Sequence, residues 1–194
     1  CTMFATELTQ PLQTTQDLLN TSSTDTYLTI LGRVDYQLAV AAMHNYTTQR
    51  TESSPDQIWL LEHPPTYTSG SRASPTDILH PLPYPLYQCN RGGRITFHNP
   101  GQLIIYCLID IKRHADLRIK PLLTLLENII IACAYTYQIH AYAKREARGI
   151  YTDQGKLASL GLSIKNNATQ HGCALNVHND LEPFKHIRAC GQDI

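Results

Sequence analysis

The residue best suited to covalent chemistry is a cysteine near the end of the chain. Cys190 lies in HIRACGQDI (186–194) and is followed directly by Gly191. A buried structural cysteine usually lies in an apolar run, whereas a glycine beside a thiol allows the backbone to turn and a ligand to approach. Such a thiol can attack a carbonyl group and hold an acyl group as a thioester. Cys190 is therefore a candidate nucleophile.

The segment RGGRITFHNPGQLIIY (91–106) has residue types suited to binding. Arg91 and Arg94 flank two adjacent glycines, and Thr96 and His98 follow. Backbone N–H groups and cations in one place favour an anionic or carbonyl-bearing ligand. Since a Gly-Gly pair alone more often marks a hairpin turn, this segment predicts a ligand site only in combination with other motifs.

Two further segments combine a polar side chain with small residues. Lys156 lies in GKLASLG (155–161), and His171 lies in HGCALNV (171–177). A single lysine at a strand edge is ordinarily solvated, and a single His-Gly pair is ordinarily a turn. Each segment alone is therefore weak evidence of function.

Composition and charge limit the functions that this chain can have. The 194 residues suit one domain, and 42% of them are apolar. Sixteen basic residues balance sixteen acidic ones, so no net charge favours nucleic acid or an anionic membrane. The apolar runs at 103–109 and 129–134 are shorter than the roughly 18 to 20 residues that cross a bilayer. We therefore expect a soluble protein.

The cysteines favour a reducing compartment. The chain has six cysteines, at positions 1, 89, 107, 133, 173 and 190, without a Cys-x-x-Cys pair. Cys107 and Cys133 lie in apolar runs, where a cysteine acts as a small hydrophobic residue. The first residues lack the pattern of a signal peptide, so we expect none. We expect a cytoplasmic protein.

The first third of the chain predicts an arm, a helix and a strand. Residues 1–26 are rich in Thr, Ser, Asn and Gln, as in a surface arm. Asp35 can cap a helix that runs to about Arg50. Leu38, Met43 and Tyr46 are expected on its buried stripe. A strand follows at 57–63, and the Pro/Ser-rich residues 64–85 are expected to form a long active-site loop.

The remaining elements predict an α+β domain. Pro121 suits the start of an apolar helix, expected over 122–137 and buried between layers. A short helical piece is expected at 180–187. Strands are expected at 86–90, 94–99, 102–111, 140–152, 156–165 and 169–177, and turns at 153–155 and 166–167 separate the last three. Strands in runs with two main helices indicate an α+β fold.

Five segments in order closely resemble the octanoyltransferases of lipoate biosynthesis. The likeness spans about residues 28 to 191. The segments are EHPPTYTSG (62–70), RGGRITFHNPGQL (91–103), GKLASLG (155–161), HGCALN (171–176) and DLEPFKHIRACG (180–191). The resemblance implies a single catalytic domain over 27–194 with a mixed β-sheet and packed helices, as in lipoate ligases and biotin protein ligases. It also implies that the family's C-terminal segment is missing here.

The same resemblance implies the reaction and its residues. An octanoyl group would move from octanoyl-acyl carrier protein to a lysine of lipoyl domains, those of 2-oxoacid dehydrogenases and the glycine cleavage H protein, without a metal or other cofactor. Cys190 would carry the acyl thioester and Lys156 would activate it. The implied acyl-binding residues are Arg91, Gly92, Gly93, Arg94, Ile95, Thr96, Phe97, His98, Ser159, Leu160, Gly161, Gly172, Cys173 and Ala174.

The chemistry of a thiol and an ammonium fits these roles. A cysteine with a pKa of about 8.5 is only a few per cent thiolate at neutral pH. An ammonium about 4 Å away contributes at most roughly 4 kcal/mol at an effective dielectric of about 20, or about three pKa units before desolvation. His98 and His171 are competing bases, or histidines that hydrogen-bond turns beside the site.

Three other functions remain open at this point. A non-catalytic homologue could bind acylated carriers or lipoyl domains. An ATP-dependent lipoate or biotin ligase would share the fold but would need no thiol, and a papain-like hydrolase would show local signatures that are absent here. The basic runs 112–120 and 144–148 could dock an acidic carrier or could simply be solvated.

Overall fold

The computed structural model describes residues 26–114, 118–144 and 147–189. The strands are β1 (Thr26–Arg33), β2 (Asp56–Glu62), β3 (Thr66–Ser69), β4 (Leu86–Gln88), β5 (Ile95–His98), β6 (Gln102–Leu108), β7 (Tyr142–Ala143), β8 (Ile150–Thr152), β9 (Gly155–Lys165) and β10 (Ala168–Asn176). The α-helices are α1 (Tyr36–Gln49) and α2 (Ile119–Thr136), and short 3₁₀ helices cover Pro75–Asp77 and Glu182–His186. The predicted α+β class is confirmed.

The strands form a large sheet and a small one. The large mixed sheet has the order β1-β2-β6-β10-β9-β8-β7, in which β1 and β2 run parallel and the other neighbours antiparallel. The small sheet has the order β4-β3-β5. The turns predicted at 153–155 and 166–167 connect β8 to β9 and β9 to β10, although Gly155 already belongs to β9. Consecutive antiparallel strands joined by short turns explain why the sequence signals are clear in this region.

Strand β6 separates the two helices. Successive side chains of a strand point to opposite faces, and β6 is apolar at every position from 103 to 108. Ile104, Tyr106 and Leu108 belong to the core cluster that contains the buried side of α1. Cys107 belongs instead to a cluster with Leu122 of α2. The two helices therefore cover opposite faces of the large sheet.

Helix α1 begins where the sequence predicts. The Asp35 carboxylate accepts hydrogen bonds from the backbone N–H groups of Gln37 and Leu38, as expected of an N-cap. Met43 and Tyr46 are buried as expected, but Leu38 is 67% exposed, so its predicted place in the buried stripe is wrong. Leu38 lies five residues before Met43, which places the two side chains about 140° apart around the helix axis.

Helix α2 packs on the sheet through one face only. Leu122, Leu126 and Ile130 are buried, whereas Leu125 and Ile129 are about half exposed. The prediction of a helix buried between layers is therefore wrong. The sequence-based expectation also missed that α2, with 18 residues and a mean hydropathy of 1.3, is long and apolar enough to cross a membrane by those two criteria alone.

The predicted loop at 64–85 contains regular structure. Strand β3 is buried at all four positions, so it lacks the polar alternation that a sequence pattern can detect. The 3₁₀ helix Pro75–Asp77 has a capping box between Ser74 and Asp77. Residues 64–85 are therefore not regular throughout, as predicted, but they include these two short elements.

The edge strand β1 is the other element that the sequence did not reveal. Its outward positions include Leu28 and Ile30, which are 62% and 64% exposed. Because apolar residues point outward here, the usual contrast between polar and apolar positions is missing. The predicted arm at 1–26 lies outside the described residues except for Thr26, which begins β1.

A buried ion pair connects the end of α1 to the start of β2. The Arg50 Nη2 lies 2.7 Å from the Asp56 Oδ1, and both side chains are only 5% exposed. The Asp56 carboxylate also accepts the backbone N–H of Asp110, at 2.8 Å, and contacts the His114 ring, at 2.8 Å. One carboxylate therefore holds three segments of the chain together.

Replacing Asp56 with alanine should lower the free energy of unfolding by about 3–5 kcal/mol, because the Arg50 charge would remain buried without its partner. The matched control is Glu62→Ala at the other end of β2, since the Arg33–Glu62 pair is 59% and 33% exposed. The control should cost less than about 1 kcal/mol. Urea unfolding measures both values, and equal losses in the two variants would contradict the assignment.

Candidate active site

A cleft opens between the small sheet and the face of the large sheet that α1 covers. Its enclosed volume is about 50 Å³, and the volume rises to about 510 Å³ when the part open to solvent is included. All the residues that the sequence assigns to acyl binding line this cleft except Gly92 and Phe97. Phe97 is fully buried in the core of the small sheet. The structure thus brings most of these residues together, and their role in binding stays a prediction.

Four lining residues were not among the assigned binding residues. Tyr36, Ile104, Tyr106 and His171 also border the cleft, and the sequence had singled out only His171, as a competing base. Ile104 and Tyr106 come from β6, where a continuous apolar run hides which side chains face a ligand. Tyr36 directly follows the N-cap Asp35, so the predicted start of α1 is the sequence signal that could have identified this residue.

The floor of the cleft consists of small residues on adjacent strands. Ser159 pairs with Ala174, and Gly161 pairs with Gly172, in the register of β9 and β10. All four line the cleft. The short side chains of Ser159 and Ala174 leave space above the sheet that larger residues would fill. At Gly161 and Gly172, the carbonyl oxygens of Gly92 and Ile105 take the positions that a Cβ atom would occupy. The remaining narrow space suits an extended, unbranched apolar chain.

The backbone at 91–93 lies directly on this floor. Gly92 donates its N–H to the Leu162 carbonyl, at 3.1 Å. A Cβ atom at Gly161 would lie 2.9 Å from the Gly92 carbonyl oxygen, and one at Gly70 would lie 2.5 Å from that of Gly93. Both approaches are too close for a side chain, so glycine is required at 70 and 161.

The two arginines of the segment hold it in place. Arg94 pairs with the buried Asp77 carboxylate through two hydrogen bonds, of 3.0 and 2.6 Å. Burial opposes the charged form of Asp77, but the Arg94 guanidinium lowers its pKa below the usual value. Arg91 donates to the Thr68 carbonyl and hydroxyl, at 2.9 and 2.8 Å. Both cations border the cleft while they fix its wall.

His98 is engaged at both ring nitrogens. Its Nδ1 lies 2.7 Å from the Gln102 Oε1, and its Nε2 lies 3.1 Å from the Thr68 hydroxyl. An amide oxygen only accepts, so Nδ1 carries the proton and Nε2 accepts from Thr68. Burial lowers the pKa of His98 to about 3, with a further contribution from His63. A neutral ring with both nitrogens engaged fits a positioning role better than that of a base.

His171 forms the opposite wall. Its Nε2 lies 2.9 Å from the Asn90 Oδ1, so this nitrogen donates. The backbone of His171 has a φ of +63°, a left-handed conformation that is uncommon for a residue other than glycine. Burial lowers its pKa to about 4, and the nearby Arg91 charge acts in the same direction.

Lys156 is the second residue of β9, and it lies outside the lining of the cleft. Its Nζ donates to the Arg148 carbonyl, at 3.3 Å, and lies 5.5 Å from the centre of the Tyr151 ring. The Asn176 Nδ2 donates a hydrogen bond to the Lys156 carbonyl, and the Asn176 Oδ1 accepts one from the Gln102 Nε2. A chain of hydrogen bonds therefore runs from the backbone of Lys156 to Gln102, the partner of His98.

The predicted nucleophile, Cys190, lies outside the described residues. Among the cysteines that the structure describes, Cys107 and Cys173 are buried, and burial raises the pKa of each thiol to about 12. Such thiols stay protonated at neutral pH and are poor nucleophiles. Within the same part of the chain, no group of three or more His, Cys, Asp or Glu residues could hold a metal ion.

Similarity to known proteins decides the family. The model of the lipoyl protein ligase A/B catalytic domain matches residues 35–193. The octanoyltransferase of Shewanella woodyi is 45% identical over 170 residues, covering 88% of this chain and 77% of that protein. The corresponding enzyme of Shewanella oneidensis is 44% identical over 169 residues, covering 87% and 77%. The chain belongs to the octanoyltransferase family. It is an acyltransferase, and the resemblance read from its motifs is confirmed.

Solved structures share the fold of this octanoyltransferase at low sequence identity. Lipoate-protein ligase A bound with ATP has a TM-score of 0.68 at 13% identity, covering 84% of this chain and 71% of the ligase. A biotin protein ligase from Aquifex aeolicus has a TM-score of 0.51 at 15% identity, covering 86% and 62%. The predicted relation to the ligase fold is therefore confirmed.

Two of the buried histidines, His98 and His171, predict an acid-sensitive fold. Because the folded protein keeps His98 and His171 neutral while the unfolded chain binds protons below about pH 6.5, stability falls as the pH drops from 6.5 toward the folded pKa values of about 3 and 4. At pH 5, each histidine should cost about 2 kcal/mol relative to pH 7.5.

The variant His171→Asn isolates one of these contributions, since asparagine tolerates the left-handed backbone. Urea unfolding at pH 7.5 and pH 5 should show a pH-dependent loss that is about 2 kcal/mol smaller in this variant than in the unchanged protein. An identical loss in both proteins would contradict the assignment of His171.

Proposed function

We propose that this acyltransferase moves an octanoyl group from octanoyl-acyl carrier protein to a lysine of lipoyl domains, through a thioester on Cys190. The observation that carries the proposal is the cleft floored by Ser159, Gly161, Gly172 and Ala174, which suits an extended apolar chain. Strand β9 carries Lys156 and one row of this floor, Ser159 and Gly161. The acyl chain and the activating ammonium would therefore contact the same strand.

The two half-reactions balance with one thiol and one amine. The Cys190 thiolate attacks the donor carbonyl, the donor C–S bond breaks, and the carrier thiolate takes a proton from Lys156. The acceptor amine then attacks the Cys190 thioester, a C–N bond forms, and the new C–S bond breaks. Lys156 takes the proton from the amine, which restores the thiolate–ammonium pair. The cycle needs neither ATP nor a redox partner.

The environment of the other thiols supports Cys190 as the nucleophile. Cys173 borders the cleft but is buried, with a pKa of about 12, so it would contribute little thiolate. The described cysteines at 89, 107, 133 and 173 are free thiols. This fits the cytoplasmic location that we include in the proposal.

Incubation with octanoyl-acyl carrier protein and no acceptor should leave one octanoyl adduct, because no amine is present to discharge the thioester. Intact-mass spectrometry detects the adduct, and hydroxylamine should remove it. Cys190→Ser should lose it, while the matched variant Cys173→Ser should retain it. An adduct that persists in Cys190→Ser and disappears in Cys173→Ser would move the nucleophile to Cys173.

The same assay separates the alternative functions. Adding a lipoyl domain should discharge the adduct onto its lysine equally well with and without ATP, whereas a ligase would depend on ATP. A protein that forms no adduct, yet binds the carrier, would be a non-catalytic binding module and would overturn the proposed thioester.

The basic run at 112–120 is a candidate surface for the acidic carrier. Lys112 and Arg118 are exposed. Arg113 instead donates to the Ser54 carbonyl and pairs with Asp110, at 3.4 Å. Replacing Arg113 would disturb the fold, so the docking hypothesis rests on Lys112 and Arg118.

The double variant Lys112→Ala, Arg118→Ala should raise the KM for the carrier by about three- to tenfold at low salt, because two attractive charges are lost. The dependence of this KM on salt should also become flatter. Lys185→Ala is the control, since Lys185 is exposed and pairs locally with Glu182. An unchanged KM across the salt range would discard the surface.

A further inference from the structure

A second groove adjoins the cleft at Tyr36 and His171, which border both cavities. The groove runs along α1, where Val40 and Met43 line it. Residues at i, i+4 and i+7 share one face of a helix, so Tyr36, Val40 and Met43 form a continuous row. The apolar side of the groove therefore begins directly behind the Tyr36 ring.

Three rings form a stack across this boundary. The Tyr36 ring lies 6.4 Å from His98 at an interplanar angle of 11°, and 5.7 Å from Tyr87 at 17°. His98 borders the cleft, and Tyr87 borders the groove. The edge of His63 contacts Tyr36 at 5.3 Å. Tyr36 thus lies with His171 at the boundary of the two cavities, and aromatic neighbours pack against its ring on both sides.

The Tyr36 ring is buried among its neighbours. Tyr36 is 3% exposed, and the Cys89 thiol interacts with its hydroxyl. Its neighbour His98 is fixed by Gln102 and Thr68. A ring packed in this way can act as a fixed end wall for a ligand that fills the cleft.

We propose that Tyr36 sets the acyl chain length that this enzyme accepts, by closing the end of the cleft against the groove along α1. The inference rests on the proposed acyl binding in the cleft. An acyl chain that fills the cleft would end against the ring, and a longer chain would collide with it. Removing the ring would let extra methylenes continue over Val40 and Met43.

The decisive variant is Tyr36→Leu, which shortens the wall while keeping an apolar residue on α1. The measurement is kcat/KM for transfer from dodecanoyl and octanoyl donors. Each methylene buried in the groove contributes about fourfold, so the dodecanoyl-to-octanoyl ratio should rise at least tenfold. Tyr36→Phe keeps the wall and should keep the ratio of the unchanged protein.

Two further variants guard against a general loss of structure. Tyr46→Leu removes an equally buried tyrosine from α1 that borders neither cavity, so the ratio should stay unchanged. Val40→Phe added to Tyr36→Leu should refill the opened space and return the ratio toward octanoyl. A Tyr36→Leu protein that loses activity with all chain lengths in equal proportion would overturn the inference.

Failure of the inference can be told from failure of the proposed function. If the unchanged protein transfers octanoyl groups but Tyr36→Leu keeps the original ratio, the inference alone is wrong. If the unchanged protein transfers none, equilibrium binding of free octanoate and dodecanoate decides the inference instead. Their affinity ratio must then change at least tenfold in Tyr36→Leu, and an unchanged ratio would overturn it.

Discussion

The cleft depends on the approach of the 91–93 backbone to strand β9. Gly92 binds the Leu162 carbonyl, and its own carbonyl oxygen lies where a Cβ of residue 161 would be. This contact places the small sheet above the large one at a fixed height. The Arg94–Asp77 pair and the contacts of Arg91 to Thr68 then hold the segment laterally. Without the contact at Gly161, the two sheets could not enclose a narrow apolar channel.

Behind this channel, the polar groups are buried and neutral. His63 donates to the Val34 carbonyl and accepts from the Tyr106 hydroxyl, while His98 is held between Gln102 and Thr68. Burial lowers the pKa of both histidines, so both rings are uncharged at neutral pH, and the cations that border the cleft are Arg91 and Arg94. The neutral rings suit an apolar acyl chain, whereas Lys156 lies outside the lining, at the start of β9.

Local signals in the sequence predicted much of the fold. The Asp35 cap and the short turns around β9 act within a few residues, so pattern alone found them. Leu38, β1 and β3 were missed or misplaced because their exposure depends on what packs against them. The order of the motifs along the sequence identified most of the residues that line the cleft. It did not identify Tyr36, whose position depends on stacking with Tyr87 and His98, 51 and 62 positions further along the chain.

If the octanoyl chain lies in the cleft as we propose, its far end should lie against Tyr36. The most direct measurement is photo-crosslinking with an octanoyl donor that carries a diazirine at its terminal carbon, followed by peptide mapping. We expect crosslinks at Tyr36 and within 171–174. Crosslinks on the exposed apolar face of α2, at Leu125 or Ile129, would contradict it.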